Sequence, residues 1–233
     1  MTGTKTIAAA DGDGAFNAYF AAPEGKPTAA IIVIQEIFGV NAGIRRKCDT
    51  LAEAGYLAVA PDLFHKISPG IELDPDVPNE MQQALDLMSQ FDQDGGIRDI
   101  EATIKAIRAE HGADLKVGVV GYCLGGRLAF MTAARTDVDA SVGYYGVGID
   151  GLLGEKNAIA KPVLLHIPEE DHFVDKDAQQ RMHEGLDDHP RVTLYDYAGE
   201  DHGFATEFGQ RRSEDSARLA DERTMAFFAE HLR

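Results

Sequence analysis

Residues Gly121-Tyr122-Cys123-Leu124-Gly125 follow a short apolar run and precede a helical pattern. This is the G-x-nucleophile-x-G spacing of a nucleophile elbow, with cysteine in the position that serine commonly takes. Such a turn strains the backbone of the nucleophile, and its glycines leave room for neighbouring main chain. A helix beginning at Leu124 directs free N–H groups towards the sulfur, which favours a thiolate and offers a donor to an oxyanion. The pentapeptide predicts nucleophilic catalysis by Cys123, with a buried, inert thiol at a tight junction as the alternative.

A candidate acid and a candidate base follow Cys123 along the chain. The segment PVLLHIPEED is an apolar strand that ends in acids at Asp171, and RVTLYDYAGEDHGF places His202 in the loop after another strand. Nucleophile, acid and histidine in this order are typical of α/β-hydrolases. Because parallel strands open at one edge of a sheet, the three residues can converge into a triad. Three neighbouring acids remain open as alternatives to Asp171: Glu169, Glu170 and Asp201.

The elements that must position these residues alternate along the chain. Apolar runs such as AAIIVI and KVGVV are typical of parallel strands that are buried on both faces. We therefore predict an α/β fold, of the α/β-hydrolase type, with a mostly parallel central sheet and helices on both faces. The Pro- and acid-rich segment 65–79 predicts a surface excursion that overhangs the site. The predicted strands are 15–21, 29–34, 56–60, 116–121, 140–145, 162–167 and 191–197; the predicted helices are 43–54, 79–90, 96–110, 124–135, 175–187 and 214–231.

Composition bounds the remaining possibilities. With 233 residues, 44% of them apolar, the chain is expected to form a single domain over 1–233. The formal net charge of −17 argues against nucleic acid and anionic surfaces as partners. The first twenty residues contain no apolar signal core, and no apolar run approaches the ~18 residues that span a bilayer.

Cysteine and histidine usage bears on location and cofactors. Two cysteines do not make a disulfide framework, which favours a reducing cytoplasm, and Cys48 lies at helical spacing between apolar residues, as a packed core thiol does. The eight histidines include no H-x-x-x-H pair, so no metal and no cofactor are predicted. A small-molecule substrate is the expected partner, and the chain is expected to be a monomer or a small homo-oligomer.

Four segments together resemble the dienelactone hydrolase (carboxymethylenebutenolidase) family of the α/β-hydrolase superfamily. The resemblance spans nearly the whole chain, and it implies a Cys–His–Asp triad that acts on lactones or activated esters. It also implies that Glu36, directly after strand 29–34, lies beside the thiol and controls its ionisation. The backbone N–H groups of Ile37 and Leu124 would then form the oxyanion hole. The segments are IIVIQEIFGVNAGIRRKCDTLAEAGYLAVAPDLF, GVVGYCLGG, PEEDHFV and GEDHGF.

The sequence departs from this family where substrate is bound. Family members hold a substrate carboxylate with two arginines, and this chain has Met81 and Thr206 at the matching positions. No Lys or Arg occurs from Ile67 to Ile97, although this stretch contains seven acids. An acidic rim without a bidentate cation predicts a neutral or weakly polar substrate. The other candidate pocket residues are Phe38, Tyr145, Phe173 and Phe204, and the cations that could substitute are Arg127, Arg211 and Arg212, each expected at the surface.

The sequence thus predicts a cysteine-dependent hydrolase that cleaves an ester, as a carboxylesterase does, or a lactone, through an acyl-enzyme. Two alternatives stay open: a true dienelactone hydrolase with relocated cations, and a non-hydrolytic thiol sensor or binder on the same fold. A dinucleotide-binding enzyme is disfavoured because VGVVGYCLGG lacks the G-x-G-x-x-G spacing.

Overall fold

The computed structural model describes residues 1–10, 12 and 14–232. They form two compact units, Met1–Val117 and Gly118–Arg233. The single domain expected for 1–233 stays a prediction, and its range includes Asp11, Asp13 and Arg233, which lie outside the described residues.

In the first unit the most apolar segments form the buried strands. β3 (Ala30–Ile34) and β4 (Leu57–Pro61) are buried along their whole length and pair in parallel. β2 (Ala15–Ala21) pairs antiparallel with β4, and β1 (Thr2–Ala8) pairs antiparallel with β2 at the outer edge. β1 is exposed except at Ile7, as expected of an edge strand with polar side chains.

Three helices complete the first unit: α1 (Ala42–Glu53), α2 (Pro78–Gln90) and α3 (Gln93–His111). The predicted excursion folds back onto the segment after β3. Gly39 forms a β-bridge with Glu72, and Leu73 N–H donates to the Phe38 carbonyl at 2.9 Å. The excursion is therefore fixed to the loop that follows Glu36.

The second unit contains a parallel sheet in the strand order β5 (Val117–Tyr122), β6 (Ala140–Tyr144), β7 (Val163–Pro168) and β8 (Val192–Tyr197). β5, β6 and β7 are buried at every position, whereas β8 is the partly exposed edge strand. The parallel register aligns the carboxyl ends of the strands, so the loops after β5, β7 and β8 leave this sheet in the same direction. These are the loops that carry Cys123, Asp171 and His202.

Helical segments cover this sheet: α4 (Leu124–Arg135), a 3₁₀ segment (Ile149–Ala158), α5 (Lys176–Leu186) and α6 (Glu214–His231). The Asp175 carboxylate caps α5 by accepting from Ala178 N–H at 2.8 Å. Within the described ranges, no helix is long and apolar enough to cross a membrane.

Candidate active site

Cys123 lies at the junction of β5 and α4 with the backbone of a nucleophile elbow. Its φ is 55° and its ψ is −114°, a left-handed conformation that is costly for a residue with a Cβ. Cys123 N–H donates to the Tyr144 carbonyl at 3.1 Å, and the Cys123 carbonyl accepts from Arg127 N–H at 3.2 Å. These bonds hold the nucleophile candidate between two buried strands and the first turn of α4.

Close backbone packing explains why glycines flank the elbow. A Cβ on Gly121 would lie 1.9 Å from the Gly125 carbonyl oxygen, and one on Gly126 would lie 2.5 Å from the Tyr144 carbonyl oxygen. Both distances are far below van der Waals contact, so only glycine fits at these positions.

His202 and Asp171 form a buried pair. The His202 ring is held by Asp171, whose Oδ2 and Oδ1 lie 2.9 and 3.1 Å from His202 Nδ1. Asp171 Oδ1 also accepts from Phe173 N–H at 2.8 Å. The side chains of His202 and Asp171 are 1% and 0% exposed, so the carboxylate fixes the ring with Nδ1 as donor in a site that excludes solvent.

Cys123 is the other group that acts on the His202 ring. Burial lowers the pKa of His202, but the hydrogen bonds and charges of Asp171 and Cys123 raise it more, to about 10. The raised pKa favours the charged form of the His202 ring beside the Cys123 sulfur and the Asp171 carboxylate. The three predicted triad residues, Cys123, Asp171 and His202, lie together in the second unit. Their roles stay predictions.

Aromatic rings surround His202. The Tyr145 and Phe173 rings stand edge-on to it, with centroids 5.0 and 4.7 Å away. Phe173 is 49% exposed, whereas Phe204 is fully buried against Tyr145 and Tyr197. Phe173 is thus the exposed ring of this layer and Phe204 lies in its interior, and their roles in a substrate pocket stay predictions.

The site candidates of the first unit follow β3 or lie on α2. Glu36, Ile37 and Phe38 are all buried in the loop directly after β3. Met81 is half-buried on the first turns of α2, which follows the excursion. Their predicted roles at the thiol, in the oxyanion hole and in the pocket stay predictions.

The three arginines that could replace the family's two carboxylate-binding arginines have different surroundings. Arg127 Nη1 donates to the Gly148 carbonyl at 2.5 Å, and Arg212 donates to the Thr206 carbonyl and to Glu214. Arg211 instead packs over the residue after His202: a Cβ on Gly203 would lie 2.9 Å from Arg211 Nη1. In these contacts Arg211 is the one that lies against Gly203, while the side chain of Thr206, whose carbonyl accepts from Arg212, is buried.

Sequence reasoning considered Asp201 only as an alternative triad acid and assigned no role to His172. Asp201 pairs with His172, at 2.7 Å between Oδ1 and Nδ1, and not with His202 Nδ1. The signal in the sequence was the repeated Glu-Asp-His at 170–172 and 200–202. Asp171, His172 and Asp201 bring metal-type donor atoms within 4.8 Å of one another, but hydrogen bonds already engage these atoms, and we assign no metal there.

Comparison with known proteins gives the class and then the family. The strands, the helices and the elbow define an α/β-hydrolase: a candidate dienelactone hydrolase of Klebsiella pneumoniae superposes with a TM-score of 0.83 at 28% identity, covering 99% of this chain and all of that one. Residues 16–232 match the sequence model of the dienelactone hydrolase family, and the chain belongs to that family.

Two relatives are more similar in sequence. A candidate carboxymethylenebutenolidase of Azospirillum brasilense is 44% identical over 94% of this chain and 95% of its own length. The carboxymethylenebutenolidase of Pseudomonas putida is 40% identical over 92% of this chain and 91% of its own. The predicted family, fold class and enzyme class, a hydrolase of ester or lactone bonds, are confirmed.

Proposed function

We propose that the chain hydrolyses a lactone or ester through an acyl-enzyme on Cys123, with His202 as acid and base and Asp171 orienting it. The observation that carries this proposal is the buried His202–Asp171 bond in the same unit as an elbow cysteine at φ 55°. A His202 ring whose charged form is favoured, beside the Cys123 sulfur, supports cysteine as the nucleophile.

The steps follow from these positions. The Cys123 thiolate attacks the substrate carbonyl carbon and forms a C–S bond, while the charge that develops on the oxygen is held by the first backbone N–H groups of α4, beginning at Leu124. The tetrahedral intermediate collapses with cleavage of the C–O bond, and His202 Nε2 donates its proton to the leaving oxygen. Water then attacks the thioester, gives its proton to His202, and releases the acid with the thiolate restored.

Two first-unit residues complete this mechanism as proposals. Ile37 N–H would be the second donor to the oxyanion, and Glu36 would tune the ionisation of the thiol. Both assignments are what the resemblance to the dienelactone hydrolase family implies for these positions. Glu36→Gln would keep the shape and remove the charge, so an altered pH dependence of kcat/KM with an unchanged fold supports the role of Glu36.

The first test is turnover of cis-dienelactone and p-nitrophenyl acetate by wild type and Cys123→Ala. We expect Cys123→Ala to lose activity on both substrates while its thermal unfolding stays cooperative. Cys48→Ala is the matched control, because Cys48 is a core thiol on α1 and its loss should leave kcat within about twofold. Hydrolysis by Cys123→Ala at the wild-type rate would contradict the proposal.

We further propose that the substrate carries a carboxylate and that Arg211 contacts it. The relatives named carboxymethylenebutenolidase point to a dienelactone, and Arg211 packs against Gly203 next to the base. A guanidinium there can bind a carboxylate in a bidentate manner, although Met81 and Thr206 stand at the family's two arginine positions. This is the relocated-cation alternative that the sequence left open.

Arg211→Gln tests that substrate assignment. We expect kcat/KM for cis-dienelactone to fall about 10- to 100-fold, the effect of losing hydrogen bonds to a charged group. The rate on p-nitrophenyl acetate should change less than about twofold, because that ester has no carboxylate. Arg218→Gln is the control, since Arg218 is an exposed arginine on α6 that pairs with Glu222. Equal losses on both substrates would contradict a carboxylate contact.

A neutral substrate is the second candidate, and the acid-rich stretch from Ile67 to Ile97 without any cation favours it. Fast Cys123-dependent turnover of the neutral ester with slow turnover of cis-dienelactone would select this candidate. The absence of turnover of both substrates, together with ready oxidation of Cys123, would favour the thiol-sensor alternative.

The location and the oligomeric state stay proposals. Free thiols at Cys48 and Cys123 are consistent with a reducing cytoplasm. The expected monomer or small homo-oligomer stays a prediction.

A further inference from the structure

The two Glu-Asp-His triplets exchange partners in the structure. Asp171 of the first triplet binds His202 of the second, and Asp201 of the second binds His172 of the first. The triplets follow the neighbouring parallel strands β7 and β8, and Glu170 N–H donates to the Glu200 carbonyl at 2.8 Å. The result is an inner pair that is buried and an outer pair whose side chains are 56% and 57% exposed.

Asp201 makes three hydrogen bonds with one oxygen. Its Oδ1 accepts from His202 N–H at 2.6 Å, from His172 N–H at 3.1 Å and from the His172 ring at 2.7 Å. The first donor is the backbone amide of His202, the proposed base. The second is the backbone amide of His172, which directly follows Asp171, the proposed acid. One carboxylate oxygen therefore joins the two loops at the positions that carry Asp171 and His202.

The bonds from the His202 and His172 amides to Asp201 constrain the two loops more than the exposed His172–Asp201 ion pair does. An exposed ion pair such as His172–Asp201 contributes little to stability, because solvent screens it. The amide bonds instead fix where the chain leaves β7 and β8, and hence the distance between Asp171 and the His202 ring. A misplacement of about 1 Å in a catalytic group can cost about 100-fold in rate.

We propose that Asp201 is a positioning residue that sets the geometry of the His202–Asp171 pair through the backbone amides of His202 and His172. This inference rests on the proposed triad and deepens it. The charge of Asp201 persists under acid conditions: burial raises its pKa, but the His172 ring and the two amides lower it further, to below its ordinary value. The three donors thus meet a carboxylate at neutral pH.

The test compares Asp201→Ala, Asp201→Asn and His172→Ala on p-nitrophenyl acetate. We expect Asp201→Ala to lower kcat about 10- to 100-fold with KM changed less than about twofold, because chemistry and not binding is disturbed. Asp201→Asn keeps an acceptor oxygen and should restore kcat to within about threefold of wild type. His172→Ala keeps both amide bonds and should behave like Asp201→Asn.

A spectroscopic readout separates positioning from loss of stability. The proton on His202 Nδ1, bonded to Asp171, should give a downfield NMR signal in wild type and Asp201→Asn that exchanges away in Asp201→Ala. Asp175→Ala is the matched control, because it removes a carboxylate that accepts a backbone N–H at the start of α5. It should lower the melting temperature while kcat and the downfield signal stay as in wild type.

Three outcomes would overturn the inference: wild-type kcat in Asp201→Ala, equal losses in Asp201→Ala and Asp201→Asn, or a loss of kcat in Asp175→Ala as large as that in Asp201→Ala. Cys123→Ala is measured in parallel to separate the two proposals. Full activity in Cys123→Ala overturns the triad and this inference with it. An inactive Cys123→Ala beside a fully active Asp201→Ala overturns this inference alone.

Discussion

At the scale of residues, the ionisation of His202 depends on its neighbours. Burial alone would keep the ring neutral, and the raised pKa exists because Asp171 and Cys123 outweigh burial. A ring whose folded pKa is near 10 adds stability that is fully present below pH ~6.5, the unfolded pKa, and is lost as the pH rises through about 10.

Removing the Cys123 thiol should therefore lower the pKa of His202. In Cys123→Ala we expect the pKa of His202 to fall from about 10, because two of the contributions that raise it come from Cys123 while burial continues to lower it. Titration of the imidazole nitrogens by NMR measures this shift. His183, which lies between Asp187 and Asp196 on the surface, should titrate the same in both proteins. A His202 pKa that stays near 10 in Cys123→Ala would contradict the pairing.

The elbow gives a prediction about stability. Gly121→Ala places a Cβ on β5 1.9 Å from the Gly125 carbonyl oxygen, which belongs to the backbone of α4. We expect a loss of at least about 3 kcal/mol in the free energy of unfolding, measured by denaturant titration. Gly151→Ala in the 3₁₀ segment, where no atom lies within 4 Å of the new Cβ, should change it by less than about 1 kcal/mol. Equal stability of the two variants would refute the steric argument.

The candidate site was predictable from the sequence where chemistry has a fixed spacing. Cys123 can be recognised from the glycines around it, and Asp171 and His202 can be recognised from the strands that precede them. Asp201 was one of four open acids, since chain order cannot tell which carboxylate reaches Nδ1 and which turns to His172. That choice depends on the register of β7 and β8, which only the three-dimensional structure shows.

At the scale of elements, the predicted strands and helices agree with the structure to within a few residues, and α4 and α6 agree at both ends. Two elements were not predicted. β1 has one buried side chain, Ile7, so its sequence has no apolar periodicity. It forms because the backbone groups along the edge of β2 are available to pair with it. The 3₁₀ segment Ile149–Ala158 buries only two residues and has almost no amphipathic pattern.

The excursion after β4 should loosen when its anchor is altered. Gly39→Ala meets two penalties: a φ of +75° and a Cβ 2.0 Å from the Ile71 carbonyl oxygen. We expect limited proteolysis to cleave within 65–77 at least about tenfold faster than in wild type, because each 1.4 kcal/mol lost from the anchor raises the open fraction tenfold.

Gly70→Ala is the matched control for this experiment. It has a similar φ of +72° but no atom within 4 Å of the new Cβ, so it carries the backbone strain without the clash. Its cleavage rate should stay close to that of wild type. If both variants are cleaved equally fast, backbone strain alone explains the effect and the contact with Ile71 has no role.

At the scale of the whole molecule, the net charge of −17 opposes an anionic substrate. The repulsion is long-range and is screened within ~10 Å at 0.1 M salt. We expect kcat/KM for cis-dienelactone to rise between about 10 and 200 mM NaCl, while that for p-nitrophenyl acetate stays constant. A fall in kcat/KM for cis-dienelactone would show that a local cation, such as Arg211, outweighs the global field.

The burial of Cys48 allows native and unfolded molecules to be distinguished by thiol labelling. Cys48 is completely buried on α1, and burial, followed by the charge of Asp49, raises its pKa above the ordinary thiol range. Cys123 is 8% exposed and Cys48 is not exposed at all, so an alkylating reagent should consume one thiol per native molecule and two per unfolded molecule. The stoichiometry of labelling then gives the fraction of competent sites in any preparation, so that a rate can be quoted per functioning centre and not per mass of protein.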